Sequence, residues 1–360
     1  MIILIPIMLV YGLFSVIGLI LVWTEDRALK KTTPPKGVTV VIAVRNEINR
    51  IKELVDQILN NKTNFNVELI IIDDNSTDGT LEYLQNNENL VLLLNNKQGK
   101  KSAIKLGVNS ATYNIIVQTD GDCEVSEYWL MSMVNCLMKE QTKMVIGPVY
   151  PIKTQSALSS LIRLEWLGVQ FLTAFTARLK QSALANGANM AYYKKDYQAF
   201  IESNLGSEFA SGDDVFFLKY IIKSGLAVFN LDKASIVKTE MPSTLVDLIK
   251  QRIRWITKAN KAVNVLSSFF SLIVVMANFS WIAGVYFFIK DYHALPILII
   301  TAGWKLISDF IICWNMARFY DDLKVLRWVP IMFFIFPVYL FLGILLSFKR
   351  SYSWKGRKVV

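Results

Sequence analysis

The sequence predicts an α/β protein whose Rossmann-like, mainly parallel sheet is flanked by hydrophobic helices toward both ends of the chain. Three observations lead there. Apolar runs of strand length, "VTVVIAV" (38–44), "VELIIID" (67–73), "LVLLL" (90–94) and "YNIIVQ" (113–118), each precede a helix-like segment. That alternation marks βαβ units, in which a parallel sheet is covered on both faces. Long apolar runs lie outside this region: Ile2 to Trp23, Val265 to Ile289, Ala294 to Trp314 and Trp328 to Phe348. Each approaches the about twenty residues that a bilayer-spanning helix needs. Finally, acidic residues stand where the strand-like runs end, and ligands of open α/β sheets bind at the carboxyl ends of the strands.

Composition narrows the class. The chain carries 39 basic and 29 acidic side chains, a net charge of +10, which favours phosphate-bearing small partners; nucleic acid is not expected among them. Apolar residues make up 53% and gather toward the ends, which predicts a multi-pass membrane protein. The expected organisation is a transmembrane helix at 1–24, a folded domain at 36–244, an amphipathic interfacial helix at 245–264, transmembrane helices at 265–348 and a basic tail at 349–360. Arg27, Lys30, Lys31 and Lys36 follow the first run and no basic residue precedes it. This places the folded domain in the cytoplasm, with a bacterial inner membrane as the expected host. Lys349, Arg350, Lys355, Arg357 and Lys358 predict the same side for the tail, which four crossings would not allow. Pro330 and Pro337 are therefore expected to break the last run into a re-entrant or tilted element. Cys123, Cys136 and Cys313 have no metal-ligand spacing, and the single histidine, His293, lies in a turn between apolar runs. Carboxylates remain for acid–base work.

Those carboxylates form a pattern. Ala43, Val44 and Glu47 lie at the end of the first strand, Asp74 at the end of the second, and Asp120-Gly121-Asp122 after the fourth. A D-x-D pair by itself is most often a solvated turn or a helix cap; its other reading is a site for a hard cation, around which a glycine lets the chain bend. "IIIDDNSTDGT" (70–80) can cap the next helix or face a nucleoside. "NNKQGKKSAIKLG" (95–107) opens a helix with Gly99, Lys100 and Lys101, either a solvated basic turn or an anion site. "LANGANMAY" (184–192) reads as a loop, and "SGDDVFFLKYIIKSG" (211–225) sets Asp213 and Asp214 at a helix start, where capping is the plain account.

Taken together, these segments resemble the family-2 glycosyltransferases, inverting enzymes of the GT-A fold that transfer a sugar from a nucleotide diphosphate. The resemblance covers roughly Val38 to Lys258. It implies that Ala43, Val44, Glu47, Asp74 and Lys100 line the nucleotide site, and that Asp120 and Asp122 bind Mg²⁺ or Mn²⁺ with the diphosphate. It further implies that Asn186, Gly187 and Asn189 line the sugar pocket. Asp214 is then the general base, with Asp213 beside it. "QRIRWITK" (251–258) resembles the Q-x-x-R-W motif of membrane-bound members, which implies that Gln251, Arg252, Arg254 and Trp255 serve the acceptor and the leaving diphosphate. Helical spacing sets Gln251, Arg254, Trp255 and Lys258 on one face and Leu245, Leu248, Ile249, Ile253 and Ile256 nearly opposite. An interfacial helix with its motif side toward the cleft is expected, and with it a lipid or lipid-linked acceptor.

Competing classes fare less well. There is no G-x-G-x-x-G after the first strand and no G-x-x-x-x-G-K-[ST], so dinucleotide oxidoreductases and P-loop enzymes drop out. A nucleotidyltransferase expects a Gly-rich basic loop where "VRNEINR" stands. A processive polysaccharide synthase shares the motifs, but few apolar helices leave little material for a polymer channel. A non-enzymatic nucleotide-sugar sensor would not need every acid. Within the apolar runs, Lys305 and Asp309 are four apart and can pair across one turn.

Overall fold

The computed structural model describes residues 4–24, 34–182, 184–207, 212–262, 265–346, 352–354 and 357–359. The chain divides into two compact units. One, the sheet unit, comprises Asp26–Ile152 and Ala177–Glu240. The other, the helical unit, comprises Met1–Glu25, Lys153–Thr176 and Met241–Val360. Residues 153–176, which the sequence groups with the folded domain, thus cluster with the apolar ends of the chain.

The first helix, α1 (Leu4–Trp23), belongs to the helical unit. The sheet unit then opens with the predicted βαβ run: β1 (Gly37–Val44), α2 (Ile48–Leu59), β2 (Asn66–Asp73), α3 (Thr80–Gln85), β3 (Val91–Leu94), α4 (Lys100–Ser110) and β4 (Ile115–Asp120). β1 is buried along nearly its whole length, as a Val/Ile run covered on both faces must be. There follow β5 (Cys123–Glu124), α5 (Trp129–Leu137), β6 (Thr142–Ile146), β7 (Val149–Pro151), α6 (Ala157–Arg178), β8 (Asn189–Tyr193), α7 (Lys194–Glu202), α8 (Asp213–Ile221), β9 (Leu226–Phe229) and β10 (Val237–Thr239).

Seven strands form the main sheet in the order β3-β2-β1-β4-β8-β6-β9. The first four in that order are parallel, and β8 reverses direction between β4 and β6. Register fixes which residues share an edge. Val44 lies opposite Asp73, and Ala43 opposite Asp120, so the ends of three strands are level. A second, three-stranded sheet, β5-β10-β7, pairs Thr239 with Cys123 and so seats the chain just after the D-x-D turn. Trp129, Tyr192, Phe200 and Phe217 fill the sheet unit's core, with Tyr192 edge-on to Phe217 at 5.0 Å between centroids.

In the helical unit, α9 (Leu245–Ala262), α10 (Val265–Lys290), α11 (Leu295–Phe319) and α12 (Val329–Leu346) join α1 and residues 157–176 of α6. Four helical segments, Leu4–Trp23, Ser268–Lys290, Tyr292–Phe319 and Leu323–Gly343, are long and apolar enough to cross a membrane. Phe14 of α1 meets Phe175 of α6 and Phe270 of α10, each at 5.2 Å. Lys305 pairs with Asp309 as the four-residue spacing requires, and the Tyr11 hydroxyl donates to Asp309 Oδ1 at 2.6 Å. One expectation is corrected. Pro330 and Pro337 do not break the last apolar run, because α12 continues from Val329 to Leu346 with Pro337 inside it. Pro330 falls in the first helical turn, where a missing N–H leaves no bond unmade. In the tail, Tyr352–Trp354 and Arg357–Val359 form a short antiparallel pair, and its side chains lie outside those described.

Candidate active site

The level strand ends are stitched together by their own loops. Asp74 N–H donates to Val44 O at 2.8 Å, Thr77 N–H to Asn46 Oδ1 at 2.8 Å, and Glu47 N–H to Thr80 Oγ1 at 2.9 Å. Asp78 Oδ1 accepts from Thr80 N–H and its Oδ2 from Ile48 N–H, so this exposed acid serves two helix starts. Asp74 is 2% exposed; its Oδ1 accepts from Gly99 N–H at 2.8 Å and from Asn95 Nδ2 at 2.7 Å. Its place is beneath the Gly99 turn, which carries φ of +102° and launches α4.

From that turn two consecutive lysines reach two different acid clusters. Lys100 Nζ pairs with Asp120 Oδ1, whereas Lys101 Nζ pairs with Asp213 Oδ1 at 3.1 Å and donates to Gly206 O at 2.9 Å. Residues 93 positions apart, Asp120 and Asp213, are thereby held from adjacent residues of one helix (213 − 120 = 93). Burial by itself lowers the Lys100 pKa, but Asp120, Asp214 and Asp122 outweigh it and raise the ammonium above its ordinary value. Lys100 stays charged throughout the neutral range.

Gly121 lets the D-x-D turn lie directly on the end of β1. A Cβ there would stand 2.8 Å from Val44 Cγ1 and 3.1 Å from Glu47 Cγ, closer than carbon atoms pack. Asp122 Oδ1 lies 3.5 Å from the Thr239 hydroxyl, and the Cys123 thiol beside it donates at 3.6 Å. Burial first, then the charges of Asp122 and Asp120, push that thiol well above its usual pKa, so it remains a neutral S–H.

Asp214 opens α8, with Gly212 at φ +102° before it. Its Oδ1 accepts from Val215 N–H at 2.9 Å and its Oδ2 from Gly187 N–H at 3.3 Å. Gly187 is the meeting point: a Cβ placed on it would lie 3.2 Å from Gln118 Nε2, 3.6 Å from Lys100 Nζ and 3.8 Å from Asp214 Oδ2. Its loop is hung from β4, Gln118 Nε2 donating to Gly187 O at 3.0 Å and Thr119 Oγ1 to Ala188 O at 2.8 Å. Asn186, partly exposed, accepts from Ala188 N–H at 3.1 Å through its Oδ1.

Two residues are placed differently from expectation. Asn189 does not line the site: it is 0% exposed, accepts from Trp129 Nε1, and donates to Pro148 O and Ser235 O. Its amide is consumed in tying β8 to the rest of the sheet unit. Arg252 is likewise committed. It is 7% exposed, donates through Nε at 3.0 Å and NH2 at 2.6 Å to Glu165, and through NH1 to Gln251 Oε1 at 2.7 Å, all within the helical unit. Its guanidinium holds the helix rather than an acceptor or diphosphate. On the apolar face of α9 Leu248 is buried, while Leu245 and Ile249 are exposed. Trp255 lies beneath Arg252, 4.3 Å from ring centroid to Cζ, and 5.3 Å from Trp166. The Arg254 and Lys258 side chains fall outside those described. Gln118 and Thr119 are the contributors that motif reading passed over; their signal was two polar residues closing a strand otherwise buried on both faces.

A mainly parallel sheet thus carries carboxylates and a lysine at its strand ends, where the motifs placed them. Residues 39–200 match the model of Glycosyl transferase family 2. The glycosyltransferase GlyG of Streptococcus pneumoniae is 30% identical over 118 residues, 31% of this chain and 39% of that protein. The poly-beta-1,6-N-acetyl-D-glucosamine synthase of Staphylococcus aureus is 23% identical over 256 residues, 66% of this chain and 57% of that one. The chain thus spans less than two thirds of the length of these relatives. Among solved structures, the mannosyltransferase PcManGT of Pyrobaculum calidifontis, in complex with GDP-Man and Mn2+, superposes with a TM-score of 0.52 at 17% identity, covering 96% of this chain and 98% of that chain. The GT-A fold expected from the motifs is the fold observed.

Proposed function

We propose that the protein is a membrane-bound, inverting glycosyltransferase that moves a sugar from a nucleotide-diphospho-sugar to a lipid or lipid-linked acceptor. The observation that carries this reading is the convergence at Gly187, where Lys100, paired with Asp120, and Asp214 approach the same glycine. An inverting transfer needs a carboxylate to take the acceptor's hydroxyl proton on the face opposite the leaving group, and positive charge where the diphosphate departs. Asp214 Oδ2 is the proton acceptor in this reading, held by a single backbone N–H. Lys100 supplies the charge beside the diphosphate, and Gly187 leaves the space a sugar ring needs. Asp213, neutralised by Lys101, keeps the start of α8 in place.

The residues also fit a divalent cation. Asp120 and Asp122 offer hard carboxylate oxygens on either side of a tight glycine turn, and among the described residues no cluster of three or more protein ligands gathers. Such a set suits Mg²⁺ or Mn²⁺, which takes its remaining oxygens from diphosphate and water. When bound, the cation would offset diphosphate charge. The four long apolar helices support a membrane location, and the basic residues after the first of them support a cytoplasmic sheet unit. Processive synthesis of a polysaccharide is the second reading, favoured by similarity to a polysaccharide synthase over 66% of the chain.

Purified protein in lipid nanodiscs, given Mn²⁺ and a panel of nucleotide sugars, tests this through release of nucleoside diphosphate and the length of the glycan product. Asp214→Asn is expected to lower transfer by roughly 10²- to 10⁴-fold while sparing donor binding. Asp122→Ala is expected to abolish cation-dependent release. Wild-type transfer from Asp214→Asn would sink the assignment of the base.

A further inference from the structure

Gly187 meets the reacting groups, but a glycine has more backbone freedom than any other residue, so its place has to be fixed from outside. Two side chains of β4 do this. Gln118 Nε2 donates to Gly187 O at 3.0 Å and Thr119 Oγ1 to Ala188 O at 2.8 Å. Successive residues of a strand point to opposite faces, so the loop is held from both sides of the sheet. The Gln118 amide is itself held. It is 4% exposed, and its Oε1 accepts from the Tyr192 hydroxyl of β8 at 2.9 Å. Tyr192 stands opposite Ile116, on the diagonal from Gln118 that a long side chain spans. The pairing has one sense only: Gly187 O can only accept, so the amide nitrogen faces it and the amide oxygen faces a donor. Burial, and then the charge of Asp213, raise the Tyr192 pKa above its usual value, so the phenol keeps its proton and remains that donor.

The contacts return to where they began. Asp214 Oδ1 accepts within its own helix, from Val215 N–H, so it is the Gly187 N–H bond to Oδ2 that joins the carboxylate to the sheet. Phe217 lies one turn beyond Asp214 on α8, and its ring packs edge-on to Tyr192. Tyr192, Gln118, Gly187, Asp214 and Phe217 thus close a circuit within the sheet unit. We infer that Gln118, oriented by Tyr192, is a positioning residue for the general base: by fixing Gly187 it fixes the N–H that aims the Asp214 carboxylate. The inference rests on the glycosyltransferase reading, in which Asp214 takes the acceptor's proton. Gln118 is 4% and Tyr192 0% exposed, so both act through the loop rather than on a substrate.

The test uses full-length protein in nanodiscs, with transfer measured by nucleoside diphosphate release. Donor-site affinity is measured separately, by titration with the nucleoside diphosphate that wild type releases. Gln118→Met keeps the length of the side chain and removes both hydrogen bonds. It is expected to lower kcat roughly tenfold while nucleoside diphosphate affinity stays within about twofold. Tyr192→Phe, which frees the amide to rotate, is expected to lower kcat several-fold. Added to Asp214→Asn, Gln118→Met is expected to lower the residual rate by no more than about twofold, because its effect passes through a carboxylate already lost. Losses that multiply in that double variant overturn the inference. So does a Gln118→Met kcat within about twofold of wild type, or a fall in kcat matched by an equal loss of nucleotide affinity. Should Gln118→Met not fold, as its thermal melt would reveal, Tyr192→Phe decides: reduced kcat with intact nucleotide affinity supports positioning, and unchanged kcat overturns it. Wild-type protein inactive with every donor would instead fail the glycosyltransferase reading, and with it this inference.

Discussion

At the scale of single residues, side-chain identity and side-chain placement part company. The acids and Lys100 were recognisable by type and spacing, but the division of labour between Lys100 and Lys101 was not, because neighbouring residues on a helix point about 100° apart and only the surrounding loops decide what each meets. Asn189 and Arg252 show the converse. Both lie within motif segments, Arg252 at a variable place of Q-x-x-R-W, and both are spent on internal partners. Gly187 offers the sharpest test at this scale. Gly187→Ala puts a methyl 3.2 Å from Gln118 Nε2 and 3.6 Å from Lys100 Nζ, atoms of flexible side chains that can shift at a cost on the order of 1 kcal/mol. Expected is a melting temperature only a few degrees lower, with kcat down roughly tenfold as the sugar's space is taken. Steady-state transfer and a thermal melt read the two effects apart; full activity would show that the glycine does not bound the sugar site.

Elements were legible in proportion to their periodicity. The four parallel strands announce themselves as apolar runs, and α2 and α4 follow them as crossovers must. β8 did not, since nothing in "NMAYY" tells antiparallel from parallel. One contact between elements has a pH signature. Glu68 of β2 accepts from the Thr39 hydroxyl of β1 at 2.5 Å and from Thr112 N–H and Oγ1 at 2.8 and 2.6 Å. Burial alone would raise its pKa, but those hydrogen bonds, with Lys194 adding its charge, lower it below the ordinary value. A folded-state pKa below the unfolded one means stabilisation that is complete above about pH 4.3 and is lost as pH falls through the lower folded value. Glu68→Gln should therefore lower the melting temperature at pH 7, and the gap to wild type should close below about pH 4. Melts across that range check it; a gap independent of pH would assign the loss to shape rather than charge.

For the whole molecule, the helical unit depends on a charge pair in apolar surroundings. Lys305 is 1% exposed, paired with Asp309, and 4.9 Å from the Phe333 ring centroid. Removing one partner strands the other. Lys305→Leu is expected to destabilise by about 3 kcal/mol, whereas Lys305→Leu combined with Asp309→Leu should cost less, about 1 kcal/mol, for the Tyr11 hydroxyl that loses its acceptor. Unfolding in detergent distinguishes them, and equal destabilisation of single and double variants would deny the pair its role.

The sequence by itself determined the α/β alternation, the apolar helices, and the acids of the site, because strand and helix periods and residue chemistry are local properties. It also determined that Lys305 and Asp309 would pair, since their spacing spans one helical turn. Only the tertiary structure decided that Lys100 and Lys101 serve different acids, that Asn189 faces inward, that Arg252 anchors α9, and that α12 runs through Pro337. Each of these depends on which distant segment lies alongside. A side chain's partner is chosen by the packing of elements far apart in the chain, and no local pattern carries that information.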